Sequence, residues 1–171
     1  MSRPHHERRR FEIVGQARFL TFSCFQRLAL LGHARIRDSF VGQLMRARDK
    51  GAFELHAWVV MPEHVHLLIT PALPEWTVAR VLRDVKGPFS TRVIARWREI
   101  DAPILKMITT DSGRVHFWQR GGGYDRNIYT RDEFVEKVEY ICSNPVRRGL
   151  VRYQEDWRWS SAHTDMAHSS G

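Results

Sequence analysis

Two histidines one residue apart carry the clearest chemical signal in the sequence. His64 and His66 stand in a largely apolar run, residues 57–70, whose composition predicts strands. Alternate residues of a strand point to the same face, so both imidazole rings face one point. Two neutral imidazoles are typical ligands of a divalent metal, and the pair predicts half of a metal site. The alternative is a chance pair on the polar face of a sheet.

Tyr140 and Asn144 supply the groups that such a site lacks. They are four residues apart in a segment that predicts a helix, which places both on one side. An amide oxygen beside two imidazoles would leave open positions on a cation, which could then polarise a phosphoryl oxygen. A phenol nearby could attack a phosphodiester and form a covalent phosphotyrosine. Alternatively, Tyr140 is a core aromatic and Asn144 only precedes a helix-ending Pro145.

The net charge of +8 and the pI of about 10.2 indicate a polyanionic partner. Arginine dominates this excess, which a GC-rich genome would also favour. Lys86, Arg147 and Arg148 are candidates for holding phosphates, and Trp118 is a candidate for stacking on unpaired bases. The alternatives are solvated surface charges for the arginines and a place in the core for the tryptophan.

Length and composition predict one domain. The chain has 171 residues, of which 43% are apolar, enough for a single hydrophobic core. We expect a polar lead-in over residues 1–15, a folded domain over 16–160 and a disordered tail over 161–171. The sequence contains no run of about eighteen apolar residues, which is the length needed to cross a bilayer. Its charged start does not resemble a signal peptide. These features predict a soluble cytoplasmic protein, with Cys24 and Cys142 as buried reduced thiols.

Hydrophobic periodicity predicts an alternation of strands and helices. We expect a kink or break at Gly87-Pro88, a glycine loop at 121–123, and a last helix that begins with a capping box at Thr130 and ends at Pro145. Strands are predicted at 17–25, 53–60, 64–70, 104–109 and 115–119, and helices at 34–50, 77–98 and 130–145.

Three segments together resemble the single-tyrosine HUH transposases, especially the REP-associated tyrosine transposases. They are Ala57–Leu68, which contains both histidines, Phe117–Gly121, which adds Arg120 as a candidate DNA contact, and Tyr140–Val151. The resemblance implies a ferredoxin-like α+β domain with a central antiparallel sheet and helices packed on it. It also implies Mg²⁺ or Mn²⁺ as cofactor and cleavage and rejoining of single-stranded DNA beside palindromic hairpins.

Carried over by position, His64 and His66 resemble the family's metal ligands, Asn144 its third ligand and Tyr140 its nucleophile, which forms a 5′-phosphotyrosine. The sequence departs from the family in two places. Glu63 stands where asparagine is common, either as a neighbour of the ligands or as an exposed residue. The segment 121–129 lacks a usual histidine and carries Tyr124 and Tyr129, which are fallback nucleophiles.

Three hypotheses therefore stand. The first is a metal-dependent DNA strand transferase, or endonuclease, of the HUH tyrosine type, acting on hairpin-bearing single strands. The second is a domesticated protein that binds hairpin DNA without cutting it. The third is a small metal-binding fold with incidental charge. A monomer and a homodimer both remain open, as does catalysis by Tyr140 within one chain or across two.

Overall fold

A four-stranded antiparallel sheet forms the centre of the structure, a computed structural model that describes residues 12–121 and 123–163. The strands lie side by side in the order β2-β3-β1-β4. A β-α-β-β-α-β succession in this order is the ferredoxin-like arrangement, which confirms the predicted α+β fold. The elements are β1 (Arg18–Ser23), α1 (Ala34–Asp49), β2 (Phe53–Val60), β3 (His64–Pro71), α2 (Val78–Glu99), α3 (Ile104–Ile108), β4 (Tyr124–Asn127) and α4 (Arg131–Arg147), with short 3-10 turns at Phe25–Arg27 and Gln154–Asp156.

The two faces of the sheet carry different cores. On the first face, α1 and α2 pack over fully buried side chains of β3 such as Val65 and Leu67. On the second face, α4 packs through Ile141 against Phe19 of β1. Alternation along β1 and β3 therefore decides which side chains meet which helices.

Helix α2 is not broken at Gly87-Pro88, where a kink or a break was predicted. Pro88 has no N–H for the carbonyl of Asp84, which is four residues earlier. The side-chain amide of Gln43 on α1 donates to that carbonyl at 2.9 Å, and the hydroxyl of Ser90 donates to the carbonyl of Lys86 at 2.9 Å. The amide of Gln43 thus satisfies the acceptor that the proline leaves, and the helix continues to Glu99.

Helix α4 starts as predicted and ends later than predicted. The hydroxyl of Thr130 accepts from the N–H of Glu133, and the Glu133 carboxylate reaches back to the Thr130 N–H, which completes the capping box. The helix passes through Pro145 and ends at Arg147, since the N–H of Arg148 still donates to the carbonyl of Asn144 at 3.0 Å. Asn144 is therefore inside the helix and only 6% exposed.

The segment between α2 and α4 differs most from prediction. Residues 104–109, predicted as a strand, form α3 after Pro103, and residues 115–119 make only isolated bridges. The fourth strand lies instead at 124–127, directly after the glycines that predicted a loop. Gly123 crosses β1 so closely that a Cβ would lie 1.8 Å from the carbonyl oxygen of Thr21, so only glycine fits.

The segment after α4 closes the edge of β2. The indole N–H of Trp157 donates to the carbonyl of Val60 at 3.0 Å, and the N–H of Val60 donates to the carbonyl of Trp159 at 2.9 Å. Ser161 and Ala162 are also buried, so the tail predicted at 161–171 is packed at its start. Residues 164–171 and most of the predicted lead-in lie outside the described residues.

Neither cysteine forms a disulfide, as predicted. Cys24 is fully buried, as predicted, whereas Cys142, which was also predicted to be buried, is only half-buried. Among the described residues, no helix is both long enough and apolar enough to span a membrane.

Candidate active site

His64 and His66 lie side by side on the face of β3 that looks toward α4. Thr21 of β1 stands opposite His66 in the sheet register, and Ser23 stands opposite His64. The two Nε2 atoms are 3.0 Å apart and the ring centroids 4.6 Å apart. Both rings are almost completely buried, as the alternation along the strand predicted.

The other nitrogen of each ring is held by a neighbour. Nδ1 of His64 lies 2.9 Å from Oε1 of Glu63, and Nδ1 of His66 lies 2.7 Å from the hydroxyl of Thr21. An ionised carboxylate can only accept, so His64 carries its proton on Nδ1 and presents the lone pair of its Nε2 toward Nε2 of His66. This arrangement, in which an outer carboxylate orients an imidazole, is typical of metal-binding histidines. Glu63 is therefore a buried neighbour of the histidines and not an exposed residue.

The surroundings keep both imidazoles neutral. Burial is the main reason that the pKa of His66 is lowered to about 3, and the nearby His64, Arg148 and Arg27 contribute to the same shift. Burial also lowers the pKa of His64, although the Glu63 carboxylate opposes that shift. The pKa of Glu63 is itself held below its usual value, because the charge of His64 and a hydrogen bond from Arg148 outweigh burial, which would raise it. Neutral imidazole is the form that coordinates a metal.

Helix α4 brings Asn144 to the same point. Its Nδ2 atom lies 3.3 Å from Nε2 of His66, while its Oδ1 atom is buried and has no hydrogen-bond partner among the described residues. A rotation of the amide by 180° exchanges these two atoms, which are hard to distinguish by shape. A buried carbonyl oxygen without a donor costs about 1–3 kcal/mol. A cation between Asn144 and the histidines would remove that cost.

This donor set fits a hard or borderline divalent cation. Two imidazole nitrogens and, after rotation of the amide, one amide oxygen converge, and the amide is essential, since the described part of the chain has no metal-type cluster of three His, Cys, Asp or Glu side chains. With three protein ligands, a cation would keep positions open for a substrate oxygen.

Tyr140 lies one turn before Asn144 and faces the same cavity. Its ring centroid is 5.3 Å from that of His66 and 5.9 Å from that of Phe19, in edge-to-face geometry. The guanidinium of Arg147 lies 4.8 Å from the ring centre. The phenol is thus half-buried at the wall of the cavity and not enclosed in the hydrophobic core.

The cavity has a volume of about 580 Å³ and a strongly basic lining. Four cationic side chains reach it, and the neighbouring carboxylate of Glu63 is already bound by His64 and Arg148. Such a lining favours a phosphate-bearing ligand. The lining residues are Phe19, Thr21, Arg27, His64, His66, Tyr124, Lys137, Tyr140, Asn144, Arg147 and Arg148.

Three predicted DNA contacts are not at this cavity. The ammonium of Lys86 lies on the other face of the sheet, 5.2 Å from the ring of Phe22 and 5.6 Å from that of Trp118. Trp118 is 9% exposed and belongs to the larger core, so its ring is not available for stacking on bases. Arg120 is exposed and does not line the cavity.

The two fallback nucleophiles, Tyr124 and Tyr129, lie in different places in the structure. Tyr124 lines the cavity from β4 with its ring edge against Phe19, whereas Tyr129 is 65% exposed and lies outside it. Only Tyr140 combines a place in the cavity with Asn144 one helical turn away.

Two basic residues of the lining were missed. Lys137 precedes Tyr140 by three residues, and this helical spacing could have indicated a shared face. Arg27 enters from a 3-10 turn with a left-handed φ of 53°, for which the sequence gives no signal.

Comparison with known proteins identifies the family of this chain. The family model described as "Transposase IS200 like" matches residues 20–144. The REP-associated tyrosine transposase of Escherichia coli (strain K12) is 32% identical over 161 residues, which are 94% of this chain and 85% of that protein. A solved structure of a REP-associated tyrosine transposase bound to a REP hairpin matches with a TM-score of 0.72 and 26% identity, over 95% of this chain and 86% of that one. The chain therefore belongs to the IS200-like transposase family and, within it, to the REP-associated tyrosine transposases.

Proposed function

We propose that this transposase cleaves and rejoins single-stranded DNA beside a hairpin, with Tyr140 as nucleophile and with Mg²⁺ or Mn²⁺ held by His64, His66 and Asn144. The observation that carries the proposal is the meeting of two Nε2 atoms, 3.0 Å apart, with the side-chain amide of Asn144, whose buried oxygen has no hydrogen-bond partner among the described residues. The two imidazoles can share one hydrogen bond, but this leaves the amide oxygen unsatisfied, whereas metal ligation would use all three groups.

Hairpin DNA is the proposed partner for two reasons. The related structure carries a REP hairpin, and the cavity of this chain presents Arg27, Lys137, Arg147 and Arg148 around the tyrosine. A flexible single strand can bring one phosphate into a cavity of this size, while a hairpin fixes which phosphate enters. The basic side chains would hold the backbone without reading sequence.

The proposed reaction is a phosphoryl transfer to the phenol. The oxygen of Tyr140 forms a bond to phosphorus and loses its proton to solvent, and the bond between phosphorus and the 3′ oxygen breaks. The departing oxygen takes up a proton, which leaves a free 3′ hydroxyl and a 5′-phosphotyrosine. Attack by a 3′ hydroxyl on this phosphotyrosine reverses the step and rejoins DNA.

The surrounding side chains have distinct roles in this step. Arg147 packs on the tyrosine ring and limits its rotation, while its free donors can reach a phosphate. Thr21 and Glu63 fix the orientation of the two imidazoles. When bound, the divalent ion would act as a Lewis acid on a non-bridging phosphate oxygen.

A covalent trapping experiment tests the proposal. Hairpin-bearing single strands with Mg²⁺ or Mn²⁺ should give a protein–DNA adduct that survives denaturing electrophoresis, and Tyr140→Phe should abolish it. Tyr129→Phe is the matched control outside the cavity and should retain it, and Tyr124→Phe tests the other tyrosine at the wall.

An equal adduct yield from Tyr140→Phe would reject the assignment of the nucleophile. Tight hairpin binding that is indifferent to EDTA, with no adduct under either metal, would support instead a protein that binds hairpins without cutting them.

A further inference from the structure

Glu63 stands in a turn whose backbone is fixed from both sides. Its carbonyl accepts from the N–H of Cys24 at 2.9 Å, and the carbonyl of Pro62 accepts from the N–H of Leu31 at 2.9 Å. The side chain is only 12% exposed. A carboxylate in such a place is costly unless it is fully paired.

One oxygen of that carboxylate serves two functional groups. Oε1 of Glu63 lies 2.9 Å from Nδ1 of His64 and 2.7 Å from Nη2 of Arg148. Arg148 is the C-cap of α4, and its side chain is 48% exposed at the cavity wall. A candidate metal-ligating imidazole and a candidate phosphate-binding guanidinium therefore share the charge of one acceptor.

From this geometry we infer that Glu63 is a positioning residue that couples metal binding at His64 to phosphate binding at Arg148. The inference rests on the proposed function, because it takes His64 as a metal ligand and Arg148 as a phosphate contact. Neither the family match nor the relatives' names assign a role to this carboxylate.

The direction of the coupling follows from charge. When a phosphate draws Arg148 away, the full carboxylate charge acts on the N–H of His64, which makes its Nε2 a stronger donor to a metal. When a metal draws electrons from His64, the N–H binds Glu63 more strongly and Arg148 is released for phosphate. Linkage requires the two effects to be equal in free energy. Metal and DNA should thus strengthen each other's binding.

The first half of this coupling is measured as Mn²⁺ binding to the full chain without DNA. The electron paramagnetic resonance signal of the free ion reports how much Mn²⁺ is not bound. Glu63→Ala should weaken Mn²⁺ binding by about 10–100-fold, the range for loss of an outer partner of a metal ligand. Glu63→Gln keeps an acceptor and loses the charge, so it should weaken Mn²⁺ binding less than Glu63→Ala does. Glu54→Gln, which removes an exposed carboxylate on β2, is the matched control and should bind like wild type.

Arg148 gives a test with the opposite sign. Arg148→Ala should tighten Mn²⁺ binding by about three- to tenfold, since it frees Glu63 and removes a nearby positive charge. Arg147→Ala removes a charge from the same cavity without a contact to Glu63, and should tighten binding less. In the Glu63→Ala background, the effects of the two arginine changes should become equal.

The outcomes distinguish this inference from the proposed function. If wild type binds Mn²⁺ and Glu63→Ala and Glu63→Gln both stay within twofold of Glu54→Gln, the inference is wrong and the metal site stands. If wild type binds no Mn²⁺, both the metal site and the coupling fail. If Glu63→Ala unfolds, as a thermal melt would show, the opposite shifts of Glu63→Gln and Arg148→Ala decide the question.

Discussion

The two faces of the central sheet are formed by the same strands, but one face carries the larger hydrophobic core and the other carries the candidate active site. On the first face, Leu67 and Ile69 of β3 are completely buried under α1 and α2. On the second, His64 and His66 of the same strand line an open basic cavity beneath α4. Alternate side chains of one strand therefore fill the hydrophobic core on one face and line the cavity on the other.

The faces also differ in how their polar groups are satisfied. On the first face, Gln43 has both ends of its amide bonded, to the carbonyl of Asp84 and to the guanidinium of Arg92. On the second, Asn144 has a buried oxygen without a partner among the described residues, and it lies beside two imidazole nitrogens that are 3.0 Å apart. The contrast between these two buried amides indicates where a ligand binds.

Phe89→Ala should produce the largest change and confine it to stability. Phe89 is fully buried, with ring centroids 5.1 Å from those of Phe40 and Phe117. Loss of the ring should lower the free energy of unfolding by about 3–5 kcal/mol, measured by chemical denaturation. At a temperature where the variant stays folded, its adduct yield should equal that of wild type. A proportionate loss of adduct would show that the faces are not independent.

His66→Ala should greatly weaken metal binding and abolish adduct formation while changing stability little, the converse of the result for Phe89→Ala. Mn²⁺ affinity should fall by at least about 100-fold, beyond the effect of an outer partner, and the DNA adduct should disappear with it. The free energy of unfolding should change by less than about 2 kcal/mol, because the hydrogen bonds of the buried imidazole, to Thr21 at 2.7 Å, to His64 at 3.0 Å and to Asn144 at 3.3 Å, join side chains and not the backbone ladder of the sheet. A variant that unfolds while its folded fraction still binds Mn²⁺ normally would reverse the assignment of the two faces.

Gln43→Ala sharpens the comparison on the first face. The change leaves the carbonyl of Asp84, which Pro88 cannot serve, without its donor. The free energy of unfolding should drop by about 1–3 kcal/mol, with no change in Mn²⁺ affinity. Gln43→Glu is the matched variant that keeps the shape and loses the donor, and it should be no more stable than the alanine variant. An unchanged stability in both would show that water replaces the amide.

The burial of Cys24 should have the smallest effect, which at pH 8 is visible only in the reactivity of the thiol. Burial raises the pKa of this thiol from 9.0 to about 12, so iodoacetamide at pH 8 should label it only after unfolding. Since the folded-state pKa exceeds the unfolded one, the neutral thiol contributes stability that is complete below pH 9 and is lost as the pH rises toward 12. Peptide mass spectrometry checks the first point, and equal labelling rates in native and denatured protein would contradict it.

The parts of the site that could be predicted are those governed by local periodicity. The spacing of His64 and His66 fixes a common face on any strand, and the spacing of Tyr140 and Asn144 does the same on any helix. The capping box at Thr130 also marked the start of α4 correctly. The structure brings these four side chains together, and their chemical roles remain proposals.

The parts that could not be predicted depend on contacts between distant segments. Periodicity placed Lys86 on a helix without showing that α2 turns it onto the aromatic rings of the larger core. Pro88 was expected to kink or break that helix, and the amide that satisfies the carbonyl it leaves comes from α1, which local sequence does not show. The apolar run at 104–109 is too short to distinguish a strand from a helix.

The coordination of Mn²⁺ in the wild-type protein is the most direct test of the central claim. Pulsed electron paramagnetic resonance of the bound ion should detect couplings to two histidine nitrogens, with one ion per chain. His64→Ala and His66→Ala should each remove one coupling and weaken binding. A bound ion without nitrogen coupling, or couplings that persist unchanged in both variants, would contradict a metal site at His64 and His66.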